Sequence, residues 1–406
     1  MERCLVVGAS HAASQFVVAL RQQGWTGDIV LIGDEPHLPY HRPPLSKTFL
    51  AEDKSIEDIL IRPQAAYEKA EVTTVLGRRV VSIDAANHSV TLDDGSTLEG
   101  SHIVLATGGH ARRLPLPGVD LPGVHVLRNA HDVQQIKTRA RAGANATIIG
   151  GGYIGLETAA SLRKLGLSVT LLEAQDRVLE RVTGPELSNF YQRLHREEGV
   201  NIITSARVQA IEGDSEVGAV SLEGSDPLPS DLVIMGVGIS PATELAEAAG
   251  LKVENGVVVN EFAQTSADNV YAIGDCTQHY NPIYDRWIRL ESIQNATDQA
   301  KTAAAAIAGK PAPYSALPWF WSDQYDIKLQ IAGLSQGFGE IVIRGDLSEG
   351  RSFAAFYLAD GKLLACDAVN RPVEFMVSKK LLLEKRAVDP SALAGESLDI
   401  KSLLKA

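Results

Sequence analysis

Two glycine-rich turns hold the residues of this chain best suited to chemistry, Gly8-Ala9-Ser10-His11-Ala12-Ala13 and Gly150-Gly151-Gly152-Tyr153-Ile154-Gly155, and each follows an apolar run of strand type. Roughly twenty residues after each comes an acid, Asp34 for the first and Glu173 for the second, which is the arrangement of the dinucleotide fingerprint. The helix opened by such a turn presents unpaired N–H groups and the positive end of its dipole to a pyrophosphate. A chain that carries the fingerprint twice should bind two dinucleotides. The simplest chemistry needing both is electron transfer between a nicotinamide and a flavin.

The second turn is complete: Gly150 serves the tight turn, Gly152 the close approach of the pyrophosphate, and Gly155 the packing of helix on strand, with Tyr153 and Ile154 opening the helix. Glu173 at the end of the next strand suits an adenosine ribose and repels a 2′-phosphate, so NADH is expected, although Arg177 nearby leaves NADPH open. The first turn has Ser10 and Ala13 in place of two glycines. Its support comes from Gly274-Asp275, a strand end whose carboxylate suits the ribityl and pyrophosphate region of FAD.

Hydride transfer between two rings needs geometry rather than an acid or base, so no triad is sought. His37 and His41 are separated by Pro39, which denies them a shared helical face, and no metal site is expected. The three cysteines, Cys4, Cys276 and Cys366, form no CxxC pair.

These motifs need α/β elements to position them. Residues 4–8, 12–23 and 28–32 read as one βαβ unit, and Ala146-Thr147-Ile148-Ile149, 154–165 and 168–172 as another, ending near Gly236-Val237-Gly238. Residues 80–98 alternate around Asp93-Asp94-Gly95, a hairpin signal. Residues 102–109 return to a buried strand ending at Ala106-Thr107-Gly108, and residues 294–308 form an alanine-rich helix. After Pro318 the rhythm changes, and 327–332, 339–344, 352–358 and 363–368 read as an antiparallel sheet followed by a helix from about 373. The expected fold is therefore two Rossmann-like dinucleotide-binding domains plus a C-terminal α+β domain. The divisions are 1–109 with 239–318 for FAD, 110–238 for NADH and 319–406 for the tail.

At 406 residues the chain exceeds a single core, and 45% hydrophobic with 22% charged residues is ordinary globular composition. A formal charge of −12 opposes binding to nucleic acid or anionic membrane. The amino terminus enters a strand at once and no apolar run approaches the ~20 residues of a membrane span, so a cytoplasmic protein is expected.

Leu38-Pro39-Tyr40-His41-Arg42-Pro43-Pro44-Leu45-Ser46-Lys47, Gly150 to Glu157, Tyr271-Ala272-Ile273-Gly274-Asp275 and Trp319-Phe320-Trp321-Ser322-Asp323-Gln324-Tyr325 occur in an order that resembles the FAD-dependent NADH:ferredoxin reductases. This family has a glutathione-reductase-like fold and feeds bacterial cytochromes P450 and ring-hydroxylating oxygenases. The resemblance implies FAD contacts at Ala12, Asp34, Lys47, Val80, Arg128, Asp275 and Ile293, besides Gly8, Ser10, Ala13, Arg42, Ala106, Thr107, Gly108 and Gly274. NADH contacts are implied at Gly150, Gly152, Tyr153, Ile154, Gly155, Glu173 and Gly238.

Three residues acquire catalytic roles by the same resemblance. Lys47 is similar to the lysine beside flavin N5, Glu157 to the acid that meets that lysine and the nicotinamide carboxamide, and Trp321 to the tryptophan at the isoalloxazine edge. Read from the residues alone, Lys47 also fits a solvated surface lysine, and Phe320 and Trp321 fit simple core.

Related flavoproteins that reduce disulfides or peroxide need a thiol against the flavin, and this chain has no cysteine between Cys4 and Cys276. Electrons must then leave from the flavin itself, and the leading expectation is that they pass one at a time to a 2Fe–2S ferredoxin, which the resemblance implies serves a cytochrome P450 or ring-hydroxylating oxygenase. Lys301 is a candidate docking cation or an ordinary solvated lysine. An NADH oxidase or rubredoxin reductase on the same fold, and a non-catalytic flavin protein that signals redox state, are the alternatives.

Overall fold

The computed structural model describes residues 2–405. Its contacts divide the chain into two compact units, one built from residues up to His41 with Ser55–His110 and Ser240–Pro318, the other from Arg42–Lys54, Ala111–Ile239 and Trp319 onward.

In the first unit five parallel strands run in the order Val270–Ala272, His102–Leu105, Arg3–Val7, Asp28–Gly33, Val72–Leu76. Cys4, Leu5, Val6 and Val7 are all buried, because a central parallel strand is covered on both faces. The helix His11–Gln22 follows the first strand and turns Ala12, Ala13, Phe16, Val17 and Leu20 inward, the spacing of one helical face. Against it lies the helix Ile293–Ile307, whose buried Ala296, Ala300, Ala303 and Ala304 let the two backbones approach closely. The expected hairpin layer is present as Val80–Asp84, Ser89–Leu92 and Thr97–Glu99, with Gly95 at φ +83° in its turn.

The second unit repeats the parallel plan with the order Val200–Ile203, Ser168–Leu172, Asn145–Ile149, Leu232–Met235, Val124–Val126. Its fingerprint helix is Tyr153–Lys164. The tail forms an antiparallel sheet in the order Trp319–Gln324, Ile327–Gly333, Lys362–Val369, Ser352–Ala359, Glu340–Asp346, with the helix Pro372–Glu384 following in sequence. That sheet has five strands where four were expected. The extra one, Trp319–Gln324, was legible only as an aromatic cluster, since three adjacent aromatics hide the alternation of a strand. Arg351, just before the strand Ser352–Ala359, pairs with Glu197 at the end of the helix Pro185–Glu197 and with Glu198 just past it, at 3.2 and 3.0 Å.

Two glycines of the second fingerprint are enforced by sterics. A Cβ on Gly155 would lie 2.1 Å from the Gly150 carbonyl oxygen, and one on Gly150, at φ +114°, would lie 2.4 Å from that of Gly236. Gly95 has the same sign of φ but no neighbour within 4 Å of its would-be Cβ. Gly95→Ala should therefore cost the backbone penalty alone, about 1 kcal/mol. Gly155→Ala should cost clearly more in urea unfolding, and equal losses would contradict this account.

Candidate active site

The first unit brings residues from four distant stretches to one strand end. Gly8 sits at φ +107°, and a Cβ there would lie 2.3 Å from the Ala106 carbonyl oxygen, so glycine is required for the turn to pass the neighbouring strand. The helix then begins after Ser10, whose side chain forms no cap on its amino end. Ala13 is fully buried beneath the turn. Gly274, at φ +82°, approaches Ala12 so closely that a Cβ on it would be 3.2 Å from that of Ala12, and its N–H donates to Gln299 Oε1 at 2.8 Å. Asp275 follows in the same turn, and Ile293 opens the helix capped by Ser292.

Around this centre, Thr107 Oγ1 donates to the Ala242 carbonyl at 2.7 Å, and the Gly108 carbonyl accepts from Ala242 N at 2.9 Å. Asp34 stands exposed at the end of its strand, 3.8 Å from Arg79, and Val80 is buried in the core beneath. His41 is drawn to His11, their Nδ1 and Nε2 atoms 3.3 Å apart, and burial together with Arg62 lowers the proton affinity of His41. Gln299 had no signal in the sequence beyond lying on a helix. It accepts from both Gly274 N and Thr277 Oγ1, and so pins the turn from behind.

Arg42, Lys47 and Arg128 belong to the second unit, where Arg42 Nη1 donates to the Arg128 carbonyl at 3.4 Å. There the nearest atom to a would-be Cβ on Gly152 is 4.0 Å away, so this turn keeps open space before the helix while Gly150 and Gly155 close it behind. Gly152 is itself the N-cap and supplies no side-chain bond, which leaves the amino end of Tyr153–Lys164 to an anion. Glu173 is held by two backbone donors, Gly151 N to Oε2 at 2.6 Å and Gln175 N to Oε1 at 2.8 Å. Arg177 spends its guanidinium on the Thr183 and Glu180 carbonyls and on Ser188 Oγ, at 3.0, 3.1 and 2.6 Å. Ile154 is exposed, Tyr153 packs its ring 4.9 Å from that of Phe320, and Gly238 takes φ +92° past the strand end.

Lys47 and Glu157 meet. Lys47 Nζ lies 2.6 Å from Glu157 Oε2, and the carboxylate is 3% exposed. Ser46 Oγ donates to the same oxygen and Ser322 Oγ to Oε1, each at 2.6 Å. Ser161, one turn beyond Glu157 on the same helix face, donates to the Ser46 carbonyl at 2.6 Å and so anchors the segment that carries Lys47. Desolvating two charges is costly, and these hydroxyl donors are what offsets the cost for the carboxylate. The three serines were missed in the sequence. The i, i+4 spacing of Glu157 and Ser161 was an available signal, while Ser46 and Ser322 lay inside runs that carry the family resemblance but had no role assigned there. On the strand Trp319–Gln324, alternation sends Ser322 toward Glu157 and Trp321 to the other face, where its ring lies 5.5 Å from that of Trp319.

The architecture matches known proteins along its whole length. Residues 2–300 match the pyridine nucleotide-disulphide oxidoreductase family model and residues 319–404 the reductase C-terminal model. Putidaredoxin reductase CamA of Pseudomonas putida is 42% identical over 100% of this chain and 97% of its own. The chain belongs to the ferredoxin reductases of this family. Another relative, the 5,5'-dehydrodivanillate O-demethylase ferredoxin reductase subunit of a Sphingobium strain, is 43% identical over 99% of this chain and 98% of its own. The reductase in the crystal structure of the covalent putidaredoxin reductase–putidaredoxin complex superposes with a TM-score of 0.96 at 42% identity, covering 100% of this chain and 98% of that one.

The disulphide in the family's description has no counterpart in this chain's thiols. Cys4, Cys276 and Cys366 are free and fully buried, and burial raises the proton affinity of all three, so none is a ready nucleophile. No helix among the described residues is long and apolar enough to cross a membrane.

A second buried carboxylate lies on the C-terminal sheet. Asp367 accepts from Thr183 Oγ1 at 2.5 Å and Tyr357 Oη at 2.7 Å, and burial pushes it up from 3.8 to about 6. A raised carboxyl contributes stability below pH 3.8 that is lost as pH climbs through 6, because the native state holds the proton the unfolded chain has released. Asp367→Asn, which keeps the acceptor without the charge, should gain on the wild type between pH 4 and 7 by about 3 kcal/mol at most. Urea unfolding at the two pH values checks this, and a constant difference between the two proteins would refute it.

Proposed function

We propose that this chain is an FAD-dependent NADH:ferredoxin reductase, converting NADH and two oxidised ferredoxins into NAD+, two reduced ferredoxins and a proton. The observation that carries the reading is the ion pair of half-buried Lys47 with buried Glu157, in a chain that has two dinucleotide turns and no exposed thiol. The names of the relatives, reductases of ferredoxin-type partners, support it.

By the resemblance, the FAD-contacting positions of the first unit are Gly8, Ser10, Ala12, Ala13, Asp34, Val80, Ala106–Gly108, Gly274, Asp275 and Ile293, and those of the second unit are Arg42, Lys47 and Arg128. NADH would take Gly150, Gly152, Tyr153, Ile154, Gly155, Glu173 and Gly238. The open ground before Gly152 fits a pyrophosphate, and the Gly8 turn with its uncapped helix fits a second. Glu173, oriented by two N–H groups, favours a free ribose hydroxyl, and Arg177 is already engaged, so NADH rather than NADPH is the donor.

Bound FAD supplies the change from two-electron to one-electron transfer. The protein's part is electrostatic and steric. Lys47 presents a fixed cation where negative charge develops, and Glu157 fixes Lys47 and offers acceptor capacity to a carboxamide. Trp321 would, by the resemblance, stand at the isoalloxazine edge and screen it from solvent. The three-domain division at 109/110, 238/239 and 318/319 and a cytoplasmic location go with this reading. Lys301 is paired with Asp298 at 3.1 Å, which reduces its value as a docking cation.

Anaerobic NADH should bleach the flavin band, and added 2Fe–2S ferredoxin should support cytochrome c reduction. Glu157→Gln should slow flavin reduction about tenfold or more, roughly 1.4 kcal/mol of barrier. Rapid oxygen uptake without carrier would instead mark an oxidase, and inactivity with every ferredoxin tried would sink the proposal.

A further inference from the structure

Glu157 is the end of a longer chain of hydrogen bonds. Ser322 Oγ, which donates to Glu157 Oε1, lies 3.1 Å from Gln324 Nε2. Gln324 Oε1 lies 2.7 Å from His195 Nε2, and His195 Nδ1 lies 3.2 Å from Tyr325 Oη. Glu157, Ser322, Gln324 and His195 are at most 3% exposed, so water does not compete for these bonds, while Tyr325 reaches the half-buried margin.

The anionic end sets the direction of every bond. A carboxylate accepts only, so the Ser322 hydroxyl must point at Glu157 and receive the Gln324 NH2 on its lone pairs. The Gln324 carbonyl then faces His195, which must carry its proton on Nε2. Burial lowers His195 to about 4, so the ring is neutral near pH 7 and its Nδ1 accepts from the Tyr325 hydroxyl. All four donors are aimed toward Glu157, the arrangement in which hydrogen bonds in series polarise one another.

Tyr325 itself is held in an uncommon backbone state. Gln324 pairs with Ile327 across a two-residue turn, and Tyr325, first in that turn, has φ +54°, where glycine, asparagine or aspartate is usual. Its ring packs edge-on to His195, the centroids 5.1 Å apart. A bulky residue persists there when its surroundings over-determine it, and such sites cluster around function.

We infer that Gln324, His195 and Tyr325 are positioning residues for the Lys47–Glu157 pair. They claim Glu157 Oε1 through Ser322 and leave Oε2 to Ser46 and Lys47, so the carboxylate cannot rotate away from the cation. This rests on the assignment of Lys47 and Glu157 to the flavin and nicotinamide, and adds residues that touch neither.

The test uses holoenzyme and stopped-flow reduction of its flavin by NADH, with 15N NMR of the histidine rings alongside. The wild type should show His195 as the Nε2–H tautomer at pH 7. His195→Ala should lower the limiting reduction rate about tenfold, with the apparent dissociation constant for NADH changed less than twofold. Tyr325→Phe, which keeps ring and turn, should lower the rate about threefold. His195→Gln, which still offers an N–H toward Gln324, should recover at least half of the wild-type rate.

A wild type reduced normally, with His195→Ala equally fast, would overturn this inference and leave the functional reading standing. A wild-type flavin that NADH does not reduce would overturn both. Should His195→Ala fail to fold, the tautomer decides: an Nδ1–H ring in the wild type reverses the chain's direction and refutes the proposal.

Discussion

A lysine ammonium 2.6 Å from a carboxylate that is almost wholly removed from water is the constraint on which the second unit is arranged. Such a pair is costly when its remaining lone pairs go unmet, and removing one partner strands a charge. Here the lone pairs are met by hydroxyls from two directions, Ser46 beside the lysine and Ser322 on the C-terminal sheet. The short segment Arg42–Lys54 lies, in sequence, within the first dinucleotide half but packs with the second unit, which is how Lys47 reaches the Tyr153–Lys164 helix. The C-terminal sheet is thus more than an appendage, since its edge strand supplies one of the carboxylate's donors.

The two dinucleotide turns show the same physics with different residues. Gly8 and Gly150 both adopt positive φ and both pass within contact of a neighbouring strand's carbonyl, Ala106 in one and Gly236 in the other. Side chains are excluded by backbone, not by preference. The first turn carries Ser10 and Ala13 where the second has Gly152 and Gly155, and Ala13 is fully buried in the core. Absent thiol chemistry follows from burial, since all three cysteines serve as small apolar side chains.

The parallel strands, the fingerprint helices and the hairpin layer were legible because each rests on local periodicity or on glycine at a turn. The C-terminal sheet was legible in four strands and hidden in the fifth, where Trp319, Phe320 and Trp321 mask alternation. Lys47 and Glu157 could be named through family likeness, but nothing local joins residues so far apart in sequence. Ser322 and Gln324 lay in a quoted run without a role and His195 had no signal, since nothing local in sequence links a serine and an amide on one strand to an imidazole on a distant helix.

The amino-acid sequence by itself determined that two βαβ turns would form, that acids would end the strands after them, and that no thiol would stand in for one near residue 45. These depend on short-range sterics and on residue type. Only the tertiary structure decided that Lys47 pairs with Glu157, that Ser322 and Ser46 divide the carboxylate between them, and that Gln299 braces Gly274. Hydrogen bonds between buried groups are set by which side chains the packed core brings within 3 Å, and that distance exists only once the chain has folded.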